Sequence, residues 1–141
     1  MNRKPKPDSY VQPMPKGQFI KLMHEFKAIG GKYICNKESE EFLEAQEAEA
    51  SALDGYTILF RRKPTRSAVY EELFHTSQYR EGKIDGTLKN RIKCEIEAQE
   101  YLLKNAEAFQ LTEPEIIQTQ KALHMYQLEL SNWKGGSYDN L

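Results

Sequence analysis

The chain has 141 residues, which suits one domain with a hydrophobic core of its own. Its formal net charge of −1 and its pI of about 6.3 argue against a general affinity for nucleic acid or for anionic membrane surfaces. No apolar run approaches the roughly 20 residues that cross a bilayer, no signal-peptide pattern is present, and Cys35 and Cys94 lack the spacing of a disulfide framework or a zinc ribbon.

The first 16 residues, MNRKPKPDSYVQPMPK, hold four of the six prolines and carry an excess of basic side chains. Proline removes a backbone donor and favours extended chain. Residues 1–16 are therefore interpreted as a basic linker or as an arm lying over the surface, and a disordered terminus is the alternative. The domain proper is expected at residues 17–141.

Residues 18–29 predict the first helix, because large apolar side chains recur there at i, i+4 and i+7. The pair Gly30-Gly31 is expected to end this helix in a left-handed turn. Residues 32–35, KYIC, predict a short strand. Residues 38–50 carry six glutamates and are interpreted as a solvent-exposed helix with its charge on a solvated face.

The strongest strand signal lies within LDGYTILFRRKP, residues 53–64. Asp54-Gly55 is a turn dipeptide, and Pro64 ends the run. Residues 56–60 between them are strand formers, so we predict a strand there.

Three further helices are predicted at residues 65–79, 88–109 and 112–131. A loop at residues 80–86 lies between the first two of them. The last helix begins with the capping box TEPE, in which Thr112 is the N-cap and Glu115 reaches back to it. The pair Gly135-Gly136 is expected to close that helix. One helix, a small sheet and three more helices in this order indicate an α+β domain.

The helix predicted at residues 65–79 projects several polar side chains from one side. At about 100° per residue, His75 and Gln78 fall within about 40° of Glu71, and Glu72 lies one step further round. The large apolar side chains fall on the opposite side. Two interpretations follow: an amphipathic helix with its polar face in water, or a metal site.

The next predicted helix favours the metal site. Its apolar stripe comprises Leu88, Ile92, Ile96, Leu102, Leu103 and Ala106. Glu95 and Gln99 fall inside this stripe, whereas Glu97 and Cys94 point away from it. A carboxylate facing a core is costly unless it is paired, protonated or bound to metal. We therefore expect Glu95 to meet the polar face of the preceding helix.

Together these residues have the composition of a hydrolytic metal centre with one divalent ion. Glu71 and His75, at i and i+4, would hold the metal with Glu95, and Glu72 would serve as general base. This is the arrangement of the H-E-x-x-H zinc helix with Glu71 in place of the first histidine. Zinc is expected, and the two carboxylate ligands make manganese or iron conceivable.

Three more side chains are expected beside this centre. Gln78 and Gln99 lie on the same faces as the ligands. Tyr79 lies on the polar arc, where it can donate a hydrogen bond to an oxyanion. A surface tyrosine at a helix end is the alternative for Tyr79.

The segment YEELFHTSQ, followed about 20 residues later by EIEAQ, resembles the zincin-like metallopeptidase toxin domains found at the C-termini of bacterial polymorphic toxins. The similarity runs from MPKGQF to YQLEL. The second segment resembles the E-x-x-A-[DN] helix of zincins with a glutamate third ligand. Glu95 and Ala98 match that pattern, and Gln99 stands where Asp or Asn is usual.

The resemblance implies a minimal zincin-like fold in which the strand YTILF is the edge on which a peptide substrate lies. It implies a secreted toxin, delivered into the cytoplasm of a competing bacterium, with a cognate immunity protein that blocks its site. Two alternatives stay open. The missing first histidine favours an inactive domain that only binds a protein partner. Glu72 and His75 form one E-x-x-H, as in ferritin-like di-metal bundles, but no second such pair is present.

Periodicity alone distinguishes Glu95 from Glu97. If a metal binds, Glu95→Ala is expected to lower its affinity sharply and Glu97→Ala to be nearly silent. If none binds, Glu95 is an uncompensated buried carboxylate, and Glu95→Leu is expected to stabilise the domain. Thermal melts with and without chelator distinguish these outcomes.

Overall fold

The computed structural model describes residues 3–133, which form five helices and three strands. These elements are α1 (Lys16–Ala28), β1 (Lys32–Cys35), α2 (Lys37–Ala45), β2 (Ala50–Asp54), β3 (Thr57–Phe60), α3 (Arg66–Arg80), α4 (Leu88–Lys104) and α5 (Glu113–Ser131). The predicted α+β class is confirmed. The predicted closure of the last helix by Gly135-Gly136 lies outside the described residues.

The sheet has the strand order β1-β3-β2, with β1 parallel and β2 antiparallel to β3. The strand predicted at residues 56–60 is confirmed as β3, whose four residues are all buried. Its expected role as the peptide-binding edge is wrong, because β3 is the central strand and has a partner on each side. The edge that contacts α3 is β2.

The strand β2 was not predicted: its first residue was assigned to a helix at residues 38–50, and the strand signal at residues 53–64 was assigned to one strand at residues 56–60. The helix α2 begins after the cap residue Asn36 and ends at Ala45. Glu47 then adopts a left-handed backbone with a φ of 55°, which turns the chain back towards the sheet. The small side chains at the start of β2 give a weak strand signal, and pairing with β3 determines their conformation.

The helix predicted at residues 88–109 is shorter than expected. Its C-cap is Asn105, and Gln110 has a φ of 56°. The turn between them carries Phe109 back over α3, where its ring stacks on Tyr70 at a centroid distance of 3.7 Å. Leu88, expected in the buried stripe, is exposed at the start of α4.

The segment before α1 lies against the domain. Met14 is buried in the main core beside Met23 and Phe60. The Met14 amide donates to the carbonyl of Pro64 at 2.8 Å, just ahead of α3. The cysteines are free thiols, as expected. In the part of the chain that the structure describes, no helix is both long enough and apolar enough to cross a membrane.

Glu115 accepts hydrogen bonds at the N-termini of two helices, α5 and α3. The predicted capping box is confirmed, since one carboxylate oxygen accepts from the amide and the hydroxyl of Thr112 at 3.0 Å each. The other oxygen accepts from the amide of Ser67 at 2.7 Å, in the first turn of α3. Glu115 is fully buried, so water would not readily replace its carboxylate as the acceptor for these donors.

We expect Glu115→Ala to lower the free energy of unfolding by about 2–4 kcal/mol, because two buried backbone donors lose their acceptor. Chemical denaturation measures the change. Glu113→Ala is the matched control: it removes an exposed glutamate from the same helix turn, and its effect is expected to stay within about 0.5 kcal/mol. Equal effects of the two substitutions would contradict a double-capping role for Glu115.

A candidate metal centre

The polar side of α3 is buried. Glu71 and Glu72 are each 8 % exposed, Gln78 is 1 % exposed and Thr76 is fully buried. The interpretation of this side as a solvated face is therefore wrong. The helix α4 packs against α3, and the cap residue Thr65 accepts from the amide of Ala68 at the start of α3. Buried carboxylates in adjacent positions require a charge partner.

A compact group of potential metal ligands forms on this side. Glu71, Glu72 and His75 each offer one ligand atom, and these atoms all lie within 4.8 Å of one another. The i, i+4 spacing of Glu71 and His75 and the intervening position of Glu72 produce this convergence on one helix. The sequence had predicted that these three residues meet.

Gln78 orients the imidazole of His75. The Gln78 amide nitrogen donates to the carbonyl of Cys94 at 3.0 Å, so its oxygen accepts from Nδ1 of His75 at 2.7 Å. With Nδ1 as the donor, Nε2 faces the carboxylates. Such a hydrogen bond fixes the tautomer and ring orientation of metal-binding histidines. The expected place of Gln78 beside the ligands is confirmed.

Glu95, which belongs to α4, contacts this group at the imidazole of His75. Its Oε1 lies 2.7 Å from Nε2 of His75, and that Nε2 lies 3.8 Å from Oε2 of Glu71. The buried Tyr126, from α5, lies near Glu95, and burial together with the charge of Glu95 raises the pKa of its phenol. Glu95 is thus a compensated carboxylate, contrary to the premise behind the predicted stabilisation by Glu95→Leu. That substitution would leave Nε2 of His75 without this acceptor.

Two other residues of α4 lie differently from the prediction. Glu97 does not point away, since its Oε1 accepts from the Gln78 amide at 3.2 Å and from Lys83 at 3.3 Å. Its replacement by alanine will loosen Gln78 rather than be silent. Cys94 was expected to point away from the site, but it is buried and lines the cavity described below.

The two remaining predicted neighbours make no hydrogen bond to the ligands. Tyr79 is 38 % exposed and lines the rim of the cavity. Gln99 is fully buried one turn beyond Glu95, and neither atom of its amide has a hydrogen-bond partner within residues 3–133.

The charges in this group are strongly coupled. Burial raises the pKa of Glu71, but the ammonium of Lys4 and the nearby imidazole of His75 outweigh burial and hold this pKa at about 2. Burial also raises the pKa of Glu72, to about 7, with repulsion from Glu71 and Glu95 adding to the shift. For His75, burial lowers the pKa, but the neighbouring carboxylates of Glu71 and Glu95 raise it well above its usual value.

Four residues of the site were not found from the sequence. Lys4 belongs to the N-terminal arm, and its Nζ lies 2.8 Å from Oε1 of Glu71. Glu49, assigned to a solvated helix, lies near Lys4 and Glu71, and burial raises its pKa. Thr119 and Tyr126 come from α5. The spacing 115, 119, 122, 126 is a helical stripe that contains both and offered a signal for them.

A cavity of about 980 Å³ opens over the group. The carboxylates and His75 line it from α3, and Ala50 and Ser51 line it from the edge strand β2. The arm residues 3–7 run along its wall. This volume is in the range of clefts that bind small molecules or short peptide segments.

The donor set fits a divalent cation. Carboxylate oxygens and a neutral imidazole suit zinc, manganese or iron. The Lys4 ammonium beside Glu71 shows that this position accepts a positive charge. Comparison with family models, with curated proteins and with solved structures gives no match. The chemistry of these residues therefore carries the functional assignment.

We expect Gln78→Leu to weaken Zn²⁺ binding by roughly 10–100-fold, because His75 loses the acceptor that fixes its Nδ1. Isothermal titration with Zn²⁺ measures the affinity. Ser77→Ala is the matched control, since the Ser77 hydroxyl donates to the carbonyl of Phe74 on the same helix and contacts none of the ligands. An unchanged affinity in Gln78→Leu would show that the imidazole does not need this anchor.

Proposed function

We propose that this protein is a metal-dependent peptidase in which Glu71, His75 and Glu95 hold one divalent ion, with zinc as the first candidate. The observation that carries the proposal is the convergence of Glu71, Glu72 and His75 within 4.8 Å under an open cavity, with Glu95 on Nε2 of His75. The two motifs lie on separate helices, and their meeting supports one shared centre. Manganese and iron are the alternatives that the carboxylate donors allow.

Glu72 has the properties of a general base. Its Oε1 accepts from the amide of Ala52 at 2.8 Å, which fixes the side chain and leaves the other oxygen for proton transfer. Its pKa of about 7 lies near neutral pH, where a general base is most effective. A bound metal would polarise the scissile carbonyl and acidify the attacking water. Glu72 would take the proton from that water and deliver it to the leaving amine.

The peptide substrate is proposed to lie in the cavity along β2. This strand is an edge of the sheet, and its first residues, Ala50 and Ser51, line the cavity beside the ligands. An extended peptide can add to such an edge through backbone hydrogen bonds. The hydrogen bond from the Ala52 amide to Glu72 lies at the end of this stretch, which supports the proposed role of Glu72 as general base beside the bound peptide.

A role as a toxin rests on the resemblance of the two motifs to polymorphic toxin domains. In this proposal the domain is delivered into the cytoplasm of a competing bacterium, and an immunity protein protects the producer by covering the cavity. Expression of the domain in a bacterium, with and without the neighbouring gene, tests both parts. Proteomics on the affected cells would then identify a new cleavage product.

The alternative is an inactive domain that only binds a protein partner. Two observations favour it: Glu71 replaces the first histidine of the zinc motif, and Lys4 balances the charge of Glu71 without any metal. Elemental analysis of protein purified without chelator distinguishes the two functions. The peptidase requires about one equivalent of metal, and the binding domain requires none.

We expect Glu72→Gln to abolish toxicity and peptide cleavage while retaining the fold and Zn²⁺ binding. The glutamine oxygen can still accept from the Ala52 amide, but the side chain can no longer take a proton. Growth of expressing cells and a thermal melt provide the readouts. Glu100→Gln, an exposed change on α4, is the control. A fully toxic Glu72→Gln variant would refute the mechanism.

The affinity for Zn²⁺ is expected to rise with pH. His75 has a raised pKa, so its Nε2 keeps a proton to higher pH than an ordinary histidine, and this proton must leave before a metal binds. Glu72 ionises near pH 7 and adds negative charge beside the ion. Titrations from about pH 6 to about pH 8 in the presence of a competing chelator measure the trend. A flat profile contradicts a ligand role for His75.

A further inference from the structure

The ammonium of Lys4 lies against Glu71, one of the proposed ligands of the candidate metal centre. Its Nζ is 2.8 Å from Oε1 of Glu71 and 3.2 Å from the hydroxyl oxygen of Thr119. The Thr119 hydroxyl donates to the carbonyl of Glu115, so its lone pair faces the lysine. The Lys4 side chain is only 12 % exposed. Lys6, two residues further along the arm, is exposed.

The arm is held at several points outside the centre. The Gln118 amide donates to the carbonyl of Pro5 at 2.9 Å, and Lys121 pairs with Asp8 at 2.6 Å. Both contacts lie on α5. Pro5 and Pro7 restrict the arm to extended conformations, which lowers the entropy lost when it docks. The contacts of the whole arm therefore hold Lys4 in its position at Glu71.

We propose that the N-terminal arm is an autoinhibitory plug, in which the Lys4 ammonium occupies the cation position at Glu71 and must withdraw before a divalent ion binds there. This inference rests on the proposed metal-dependent function. Two cations on one carboxylate repel each other strongly in a buried site. The ammonium and the metal are thus mutually exclusive occupants of Glu71.

Withdrawal of the arm would itself favour the binding of another cation beside Glu71. Lys4 is the positive charge that faces both Glu71 and Glu49. Without it, these carboxylates lie together in the buried space beside Glu72 with less compensating charge. A divalent ion restores the balance. The arm and the metal therefore stabilise two alternative states of the same domain.

The test is Zn²⁺ binding by the full chain, measured with a competing chromogenic chelator. The wild type is compared with Lys4→Met, which keeps the length of the side chain and removes its charge. We expect Lys4→Met to bind Zn²⁺ roughly 10–100-fold more tightly. In the wild type, only the fraction of molecules in which Lys4 has left Glu71 can bind the ion, and the apparent affinity is reduced in proportion to that fraction. Lys6→Met, the matched control on the same arm, is expected to bind like the wild type.

A second measurement uses the wild type alone and does not depend on the folding of a variant. NMR relaxation of the backbone amides of Lys4, Lys6 and Asp8 is expected to show greater mobility when Zn²⁺ is added, because the metal displaces Lys4 and frees the arm. Lys4→Gln, which can still donate to Glu71 and Thr119, provides a third variant if Lys4→Met does not fold. Its affinity is expected above that of the wild type.

The outcomes separate the plug from the proposed function. If wild type and Lys4→Met bind Zn²⁺ equally tightly and the mobility of the arm is unchanged, the plug is overturned and the metal centre stands. If Lys4→Met binds more weakly, the plug is also overturned, and Lys4 becomes a supporting part of the centre. If no variant binds Zn²⁺, both the metal-dependent function and the plug are overturned.

Discussion

Several carboxylates share one buried space, and the electrostatic cost of that arrangement governs the structure around it. Glu71 and Glu72 are neighbours on α3, and Glu95 reaches the same space from α4. Ionised carboxylates so close together are tolerated in a protein interior only when cations or protons balance them. Lys4 balances Glu71, and His75 lies between Glu71 and Glu95. Glu72, held by a backbone amide alone, has a pKa of about 7.

The position of α3 is fixed by side chains that bond to the backbone of other elements. Glu72 accepts from the Ala52 amide of β2, and Gln78 donates to the Cys94 carbonyl of α4. Glu115 of α5 accepts from the Ser67 amide at the start of α3. These three bonds run to three different elements. The geometry of the centre is therefore determined by the whole domain rather than by α3 alone.

Local patterns predicted the parts of the site that lie within one helix. The spacing of Glu71, Glu72 and His75 determined that they converge. The apolar stripe of α4 correctly predicted that Glu95 meets α3, but it missed the contact of Glu97 with Gln78. The burial of the polar side of α3 was not predictable from its own periodicity, because the packing of β2 and α4 decides which side is covered.

Contacts between distant parts of the chain account for the other differences. Lys4 was assigned to an arm or linker by composition, and only the tertiary fold brings it to Glu71. The small side chains of β2 carry little strand propensity, so its pairing with β3 determined its conformation. The strand β3 was correctly located. Its central position in the strand order depends on which strands pair with it, and its own sequence does not specify them.

The two motifs that mark the site occupy the middle of the chain, whereas the groups that complete it come from both ends. Lys4 pairs with Glu71 across 67 positions, and Glu115 caps α3 across 48. A chain shortened after α4 would retain both motifs, yet Ser67 would lose its acceptor and Glu95 would lose Tyr126. Pairings over such separations form only when distant parts of the chain have collapsed together. Assembly of the centre is therefore coupled to completion of the fold, and a fragment that carries every ligand would still lack the geometry in which they act together.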